Sequence, residues 1–383
     1  MDKAAANSQP RTGRTEVGKS ASGKSSKKIL IAASGTGGHL FPAIATAAAL
    51  PDYHIEWLGV PDRLERQLVP EQYPMHTIAV EGFQQKFSLK TVKIALGLGL
   101  SILKVRKLLR QGQFDAVFTT GGYIAGPAVV AARSLGLPVV LHESNALPGK
   151  VTRFLSRWCD VVALGFGEAA AYLPKVRTMQ VGTPVRPQFL INKGSETLPG
   201  LPIPADVPLI VVVGGSQGAV AVNRLVRQCA PAWLDAGIWI VHQTGENDPD
   251  AQSLSHPHYF ALPFYSEMAA LFRRSTLAIS RAGAGTLTEL AVTHTPSILI
   301  PYPFAAEDHQ TYNAKVFANA GAALLYPQSD LTPELLTSKV LHLLQSSDSL
   351  QSDALQQMAD ATGKLAILDS GDRMADIIRS LKR

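Results

Sequence analysis

The chain is poor in cysteine, in charge and in long apolar runs, and each shortage removes a class of protein. Cys159 and Cys229 are the only cysteines among 383 residues. Two distant thiols without metal spacing exclude a disulfide framework and a zinc cluster, and they read as buried free thiols in a reducing compartment. The longest uncharged apolar stretch, Ile94 to Leu103, lies between Lys93 and Lys104. Its ten residues are too few to span a bilayer. The basic N-terminus is followed by no apolar run of signal-peptide length, so no secretory signal is read there. With 17% charged and 46% hydrophobic residues, the composition is that of a globular chain with room for two domains.

A strand-end Asp-x-Asp is missing as well. Asp248-Pro249-Asp250 has the letters but follows the polar residues Gly245-Glu246-Asn247. No other His, Asp and Glu residues have metal-ligand spacing, so no metal and no cofactor are expected. The net charge of +6 does not mark a nucleic-acid binder. Residues 1–28 hold seven basic side chains against two acidic ones, which leaves only +1 for the rest. A nucleic-acid footprint would place that excess on a folded face. Here it lies in a Ser/Gly/Lys/Ala tail that reads as disordered. The tail also contains Gly13 to Ser20, a letter-for-letter P-loop match. No strand precedes it and no helix follows, so it is a chance hit.

What the chain does have is glycine, at two matched places. Gly35-Thr36-Gly37-Gly38-His39 follows the apolar run Ile29 to Ala33, and Gly214-Gly215-Ser216-Gln217-Gly218 follows Leu209 to Val213. A strand feeding a helix through glycines lets the backbone approach a ligand and aims unpaired N–H groups at negative charge. A dinucleotide fingerprint is not met, because Leu40 stands where the third glycine belongs. Glu56, at the right distance for a ribose carboxylate, precedes Trp57-Leu58-Gly59 instead of ending an apolar run.

Apolar runs alternate with helical patterns on both sides of a proline-rich stretch from Pro184 to Pro208. The expected fold class is α/β, with two Rossmann-like, doubly wound parallel-sheet domains facing a cleft. The expected boundaries are a tail at 1–27, a first domain at 28–186, and a second at 187–366. A terminal helix near 367–383 would return to the first domain. Polar clusters should face the cleft where strands end: Thr119 to Tyr123, His142 to Asn145, Gly182 to Arg186, and Ser280 to Glu289. In the last cluster a helix opening at Gly285 would offer free N–H groups to a diphosphate, and Glu289 could accept the hydroxyls of a ribose. Capping alone also accounts for Thr286, Thr288 and Glu289 near a helix start. His39, at the mouth of the first loop, is placed near the reacting centre.

Gly35-Thr36-Gly37-Gly38-His39-x-x-Pro42, Thr120-Gly-Gly-Tyr123 and His142-Glu143-x-Asn145 occur in order with Gly214-Gly-Ser-Gln-Gly-Ala219. Arg281-x-Gly283-Ala284-x-Thr286-x-x-Glu289 and Asp308-His309-Gln310-x-x-Asn313-Ala314 follow them. Together they resemble the MurG family of N-acetylglucosaminyltransferases over residues 28 to 383. The resemblance implies a GT-B architecture and an inverting, metal-independent transfer of GlcNAc. The donor is UDP-GlcNAc, and the acceptor is undecaprenyl-diphosphate-MurNAc-pentapeptide at the cytoplasmic face of the membrane. By position it implies that Thr36, Gly37 and Gly38 face sugar and diphosphate, and that Asn145 contacts GlcNAc. Arg186 and the backbone near Tyr265 would hold uracil, with Ser216 on phosphate. Ala284, Gly285, Thr286, Leu287, Thr288 and Glu289 would hold diphosphate and ribose, and Gln310 the sugar hydroxyls. The chain departs from the family in its tail and at His309, where some members carry a second glutamine. Alternatives within the fold are a UDP-sugar:diacylglycerol transferase and a UDP-GlcNAc epimerase.

An acceptor in a membrane implies docking on an anionic surface. Phe83, Phe87 and Leu89 with Lys86 and Lys90 form the expected edge. The segment Leu98 to Leu109 reads instead as a core helix with a solvated charged face. Because no strand-end Asp-x-Asp is present, sugar transfer is expected to survive exhaustive EDTA treatment. Loss of turnover with EDTA and its rescue by magnesium or manganese would refute this.

Overall fold

A strand that feeds a helix and returns parallel must cross one face of its sheet, so alternating segments build a sheet covered on both sides. The computed structural model describes residues 27–61, 64–80, 89–191, 198–215, 218–345 and 349–382 and contains two such sheets. The first comprises β1 (Lys28–Ala32), β2 (His54–Gly59), β3 (Met75–Thr77), β4 (Ala116–Thr119), β5 (Val139–Glu143), β6 (Val161–Leu164) and β7 (Thr178–Gln180). Its spatial order is β3-β2-β1-β4-β5-β6-β7, with every pair parallel. The connecting helices are α1 (Gly37–Ala48), α2 (Glu65–Leu68), α3 (Leu89–Gln111), α4 (Ala125–Ser134) and α5 (Lys150–Leu155).

Beyond α6 (Pro187–Leu190), the second sheet comprises β8 (Leu209–Val213), β9 (Trp239–Gln243), β10 (Tyr259–Leu262), β11 (Leu277–Ser280), β12 (Ser297–Leu299) and β13 (Ala323–Leu325). It is also fully parallel, in the order β10-β9-β8-β11-β12-β13. Its helices are α7 (Val220–Asp235), α8 (Met268–Arg274), α9 (Ala284–Val292), α10 (His309–Asn319), α11 (Pro333–Gln345) and α12 (Ser349–Lys364), followed by α13 (Ser370–Ser380).

Successive strand residues serve opposite faces. Leu30, Ala32 and Val117 pack under α3 and α4, while Ile29, Ile31 and Phe118 pack under α1 and α13. In the second sheet Val211 and Val213 meet α8 and α9, and Ile210 and Val212 meet α7 and α11. Helix α13 buries Met374, Ala375, Ile377 and Ile378 against the first sheet. The Arg379 guanidinium there binds Asp52 at 2.7 Å and the Ala49 carbonyl at 3.1 Å. Both thiols are free, and burial pushes Cys159 up to about 12.

Two helices differ from the sequence reading. Pro42 suggests a helix beginning near residue 41, yet α1 starts at Gly37 with Pro42 inside it. A proline at that depth removes one hydrogen bond, to the Gly38 carbonyl, and the helix tolerates the loss. The early start puts His39 in the first turn instead of in a loop. Helix α12 has no counterpart in the sequence reading because its apolar stripe is narrow. Met358 and Thr362 are buried in it, and the Thr362 hydroxyl donates to the Ala322 carbonyl at 3.0 Å.

Each sheet carries a buried neutral histidine. His142 on β5 donates from Nε2 to the Gly182 carbonyl at 3.1 Å, and burial lowers its pKa to about 4. His242 on β9 bonds Tyr259 and Asn223 at 2.8 and 3.0 Å, and burial lowers it to about 3. The same network holds Asp248, which takes Arg227 in two hydrogen bonds of 2.8 and 3.1 Å. Asp248 is therefore committed to a buried ion pair. Both histidines stay neutral in the fold while the unfolded chain takes up protons below about pH 6.5. Stability is therefore expected to fall as pH drops from there toward about 4 and about 3. Each histidine adds at most about 1.4 kcal/mol per pH unit. Denaturant melts across pH check this, and His242→Gln should flatten the slope.

Candidate active site

In an open parallel sheet a crevice forms where neighbouring strands send their helices to opposite faces. In the first sheet that point lies between β1 and β4, and in the second between β8 and β11. These positions are where Gly35–His39, Thr120–Tyr123, Gly214 with Gly215, and Arg281–Thr286 leave their strands. They open into one cleft of about 1570 Å³ between the sheets. Thr36, Gly37, Gly38, His39, Asn145, Arg186, Tyr265, Ala284, Gly285, Thr286, Glu289 and Gln310 all line it.

On the first wall, His39 donates from Nδ1 to the Thr120 carbonyl at 2.8 Å. That bond joins the two loops at the switch point. It also fixes the tautomer, leaving the Nε2 lone pair to act as an acceptor. A side chain on Gly122 would lie 3.8 Å from that nitrogen. Thr36 is the N-cap of α1, and the Gly37 and Gly38 N–H groups open the helix. Gly35 takes φ 107°, and its N–H lies 3.5 Å from the buried Glu65 carboxylate, which also accepts from Val60 N at 2.7 Å.

On the second wall, Gly214 packs so closely that a Cβ would meet Ala219 N at 2.5 Å. Helix α9 begins at Ala284 with Gly283 as N-cap. The N–H groups of its first turn therefore lack carbonyl partners within the helix and face the cleft. Two expected site residues point elsewhere. Leu287 is fully buried and its N–H closes a bond to the Gly283 carbonyl at 3.0 Å. Thr288 folds its hydroxyl back onto the Ala284 carbonyl at 2.9 Å. The Leu287 side chain is therefore taken up by the core and the Thr288 hydroxyl by the helix backbone, and neither lines the cleft. Ser216 lies outside the described residues. Gln310 Oε1 accepts from Ala282 N at 3.2 Å and from Tyr302 N at 2.9 Å. Tyr265 is buried and donates its hydroxyl to the Pro199 carbonyl at 3.2 Å.

Several contacts cross the cleft. Arg186 Nη2 donates to Glu289 Oε1 at 3.0 Å, and its guanidinium lies 4.7 Å from the ring of Phe41. Burial raises the Glu289 carboxyl and the arginine pulls against that rise. Gly37 is tied to the same group, because a Cβ there would come within 2.8 Å of the Phe41 ring. Arg153 on α5 pairs with Glu307. Glu307 and the following Asp308 take φ 52° and 58°, left-handed conformations uncommon for residues other than glycine.

Sequence reasoning did not assign Phe41, Glu143, Arg153, Glu307 or Asn313. Glu143 accepts from Asn145 N and Nδ2, both at 3.0 Å, and from Gly149 N at 3.1 Å. The motif letters at 143 and 313 were the only signal for two of them. The other contacts come from tertiary packing.

Known proteins share this arrangement. The glycosyltransferase family 28 N-terminal domain matches residues 29–164, and the family's C-terminal domain matches residues 209–368. A Gloeothece citriformis protein is 65% identical over 92% of this chain and 96% of its own length. It is named UDP-N-acetylglucosamine–N-acetylmuramyl-(pentapeptide) pyrophosphoryl-undecaprenol N-acetylglucosamine transferase. A Nostoc protein of the same name is 64% identical over 92% of this chain and 98% of its own. The Acinetobacter baumannii MurG crystal structure superposes with a TM-score of 0.73 at 30% identity, covering 93% of this chain and 100% of that one. A UDP-N-acetylglucosamine 2-epimerase structure reaches a TM-score of 0.64 at 11% identity over 92% of this chain and 96% of that one, a likeness of fold alone.

Proposed function

The chain belongs to the MurG family within glycosyltransferase family 28, and from that premise we propose how its cleft performs the reaction. The enzyme transfers N-acetylglucosamine from UDP-GlcNAc to an undecaprenyl-diphosphate-MurNAc-pentapeptide acceptor, giving lipid II for peptidoglycan synthesis. The observation that carries the assignment of sides is the pairing of two switch points across one cleft, with His39 on one wall and the α9 N-terminus on the other. We assign residues 187–366 to the donor, with Arg186 and Asn145 reaching it across the cleft, and the rest of residues 28–186 to the acceptor.

The donor diphosphate lies at Ala284, Gly285 and Thr286, whose N–H groups and helix dipole neutralise it as it leaves. This needs no metal. Arg186 and the Tyr265 backbone receive the uracil, Glu289 the ribose, and Asn145 and Gln310 the GlcNAc hydroxyls. Because Arg186 and Glu289 bind each other, uridine must share or displace that ion pair. His39 Nε2 takes the proton of the attacking hydroxyl as it adds to the anomeric carbon from the face opposite the departing UDP, so the product is inverted. The Thr120 carbonyl, accepting from Nδ1, steadies the imidazolium that forms. A retained transferase assay with UDP-GlcNAc and a defined lipid acceptor separates this reaction from epimerisation, which needs no acceptor. His39→Gln is expected to lower kcat by about 10²–10⁴ and leave UDP affinity unchanged. A near-normal kcat would exclude the role.

The acceptor lies in a membrane, and no helix among the described residues is long and apolar enough to cross one. We place the enzyme peripherally on the cytoplasmic face. The expected edge at Phe83, Lys86 and Phe87 lies outside the described residues, as do the side chains of Leu89 and Lys90. Helix α3 supports docking directly. Leu96, Leu100 and Leu103 are 66%, 62% and 63% exposed along one stripe. Lys104, Lys107 and Arg110 are exposed beside it. Only part of this helix is core, with Val105 and Leu109 buried. Leu98 and Ile102 line the cleft, which brings the stripe to its mouth. Leu100→Glu with Leu103→Glu should abolish co-sedimentation with phosphatidylglycerol vesicles and spare turnover of a short-chain soluble acceptor. Equal loss on both acceptors would assign the stripe to folding.

A further inference from the structure

The fully buried Asn313 on α10 holds residues of both walls at once. Its Oδ1 accepts from Ala146 N at 2.8 Å. Its Nδ2 donates to Asn145 Oδ1 and to the Ala282 carbonyl, both at 3.1 Å. Asn145 and Ala146 follow β5 in the first domain. Ala282 precedes the N-cap of α9 in the second. One turn earlier on the same helix, Gln310 accepts from Ala282 N. Gln310 and Asn313 thus grip both polar groups of one peptide residue, at the entrance to the helix end assigned to the donor diphosphate.

The Asn145 amide has little freedom left. Glu143 is acceptor-only when ionised and takes Nδ2–H, while Asn313 supplies a donor to Oδ1. A flipped amide would put oxygen against carboxylate and N–H against N–H. One Nδ2 hydrogen of Asn145 remains for a ligand, in a fixed direction.

We propose that Asn313 is a positioning residue for sugar transfer: it aims the Asn145 amide at the donor sugar and does so only when the two walls are together. The proposal rests on the reading of Asn145 as a GlcNAc contact. Its chemistry is specific, because the bond from α10 to Asn145 and the bond from α10 to Ala282 use the two hydrogens of one amide. A domain movement that separates the walls breaks the first bond and keeps the second. Asn145 is then oriented by Glu143 alone.

The test is a double-mutant cycle between positions 145 and 313. Asn313→Asp keeps the shape and the bond from Ala146 N but turns acceptor against acceptor at Asn145 and Ala282. It should lower kcat/KM for transfer from UDP-GlcNAc by about 10²-fold, the scale of a misplaced contact. Binding of UDP itself, which lacks the sugar, should weaken far less than kcat/KM falls. Asn145→Ala should cost a similar factor, and the double variant should be no worse than Asn145→Ala alone. Additive losses, or Asn313→Asp with normal kcat/KM, would overturn the proposal. If Asn313→Asp does not fold, Asn313→Ala enters the same cycle. A cycle read by calorimetry on UDP-GlcNAc binding requires no acceptor. Coupling there, in a wild-type chain that transfers nothing to the lipid, would sink the functional reading while leaving this inference standing.

Discussion

A parallel strand must hand its chain to a helix on one face or the other, and where two neighbours choose opposite faces the sheet leaves a crevice that cannot be filled from within. Both sheets have such a crevice next to their first strand, after β1 and β4 and after β8 and β11. The rest of the site follows from that constraint. Backbone N–H groups at the start of α1 and α9 have no carbonyl below them. Glycine at 37, 38, 214 and 283 keeps side chains from covering them. The His39–Thr120 bond closes the first crevice and the Arg281–Val213 bond closes the second, the latter at 3.3 Å.

The carboxylates that line the cleft among the described residues are all engaged. Glu289 is paired to Arg186, Glu307 to Arg153, and the Glu143 carboxylate is filled by three N–H groups. Arg281, whose guanidinium is lowered by burial, bonds the Ile300 and Pro301 carbonyls and Gln328. That leaves helix ends, the His39 imidazole and the exposed Lys150 as groups available to a ligand. Such a set suits an anionic diphosphate, because preorganised dipoles cost little reorganisation when charge develops. Arginines already held by carboxylates can share or exchange partners with a substrate.

Contacts between the walls gather on α10 and its neighbours. Besides Asn313, Tyr312 meets the ring of Tyr172 edge-on at 6.3 Å, and Phe317 meets Phe166 at 6.5 Å. The tyrosine pair is partly exposed, whereas Asn313 and Phe317 are buried. An interface of that kind permits the walls to move relative to each other while each domain stays rigid. The lipid acceptor and the nucleotide must both enter and leave, so a cleft held by a few directional bonds serves the cycle better than one sealed by apolar packing.

The strands and the class of two parallel sheets were legible in the sequence, because short apolar runs alternating with helical patterns between glycine turns fit buried parallel strands. The glycine turns after β1 and β8 were legible too, since glycine at those positions has a backbone reason. Local pattern misplaced the start of α1, where a proline stands inside the helix, and missed α12, whose narrow stripe carries little periodic signal. Leu287 and Thr288 came with the family motif that spans Ala284 to Glu289, whereas the core takes the Leu287 side chain and the Ala284 carbonyl takes the Thr288 hydroxyl. Direction, not residue type, decided those positions. The sequence by itself determined which residues could bind an anion or move a proton. The tertiary structure alone decided which of them meet, since Arg186 and Glu289 are 103 residues apart, and Asn145 and Asn313 are 168 apart. Such pairs depend on how two independently formed sheets are set against each other, and nothing in local propensity or periodicity carries that geometry.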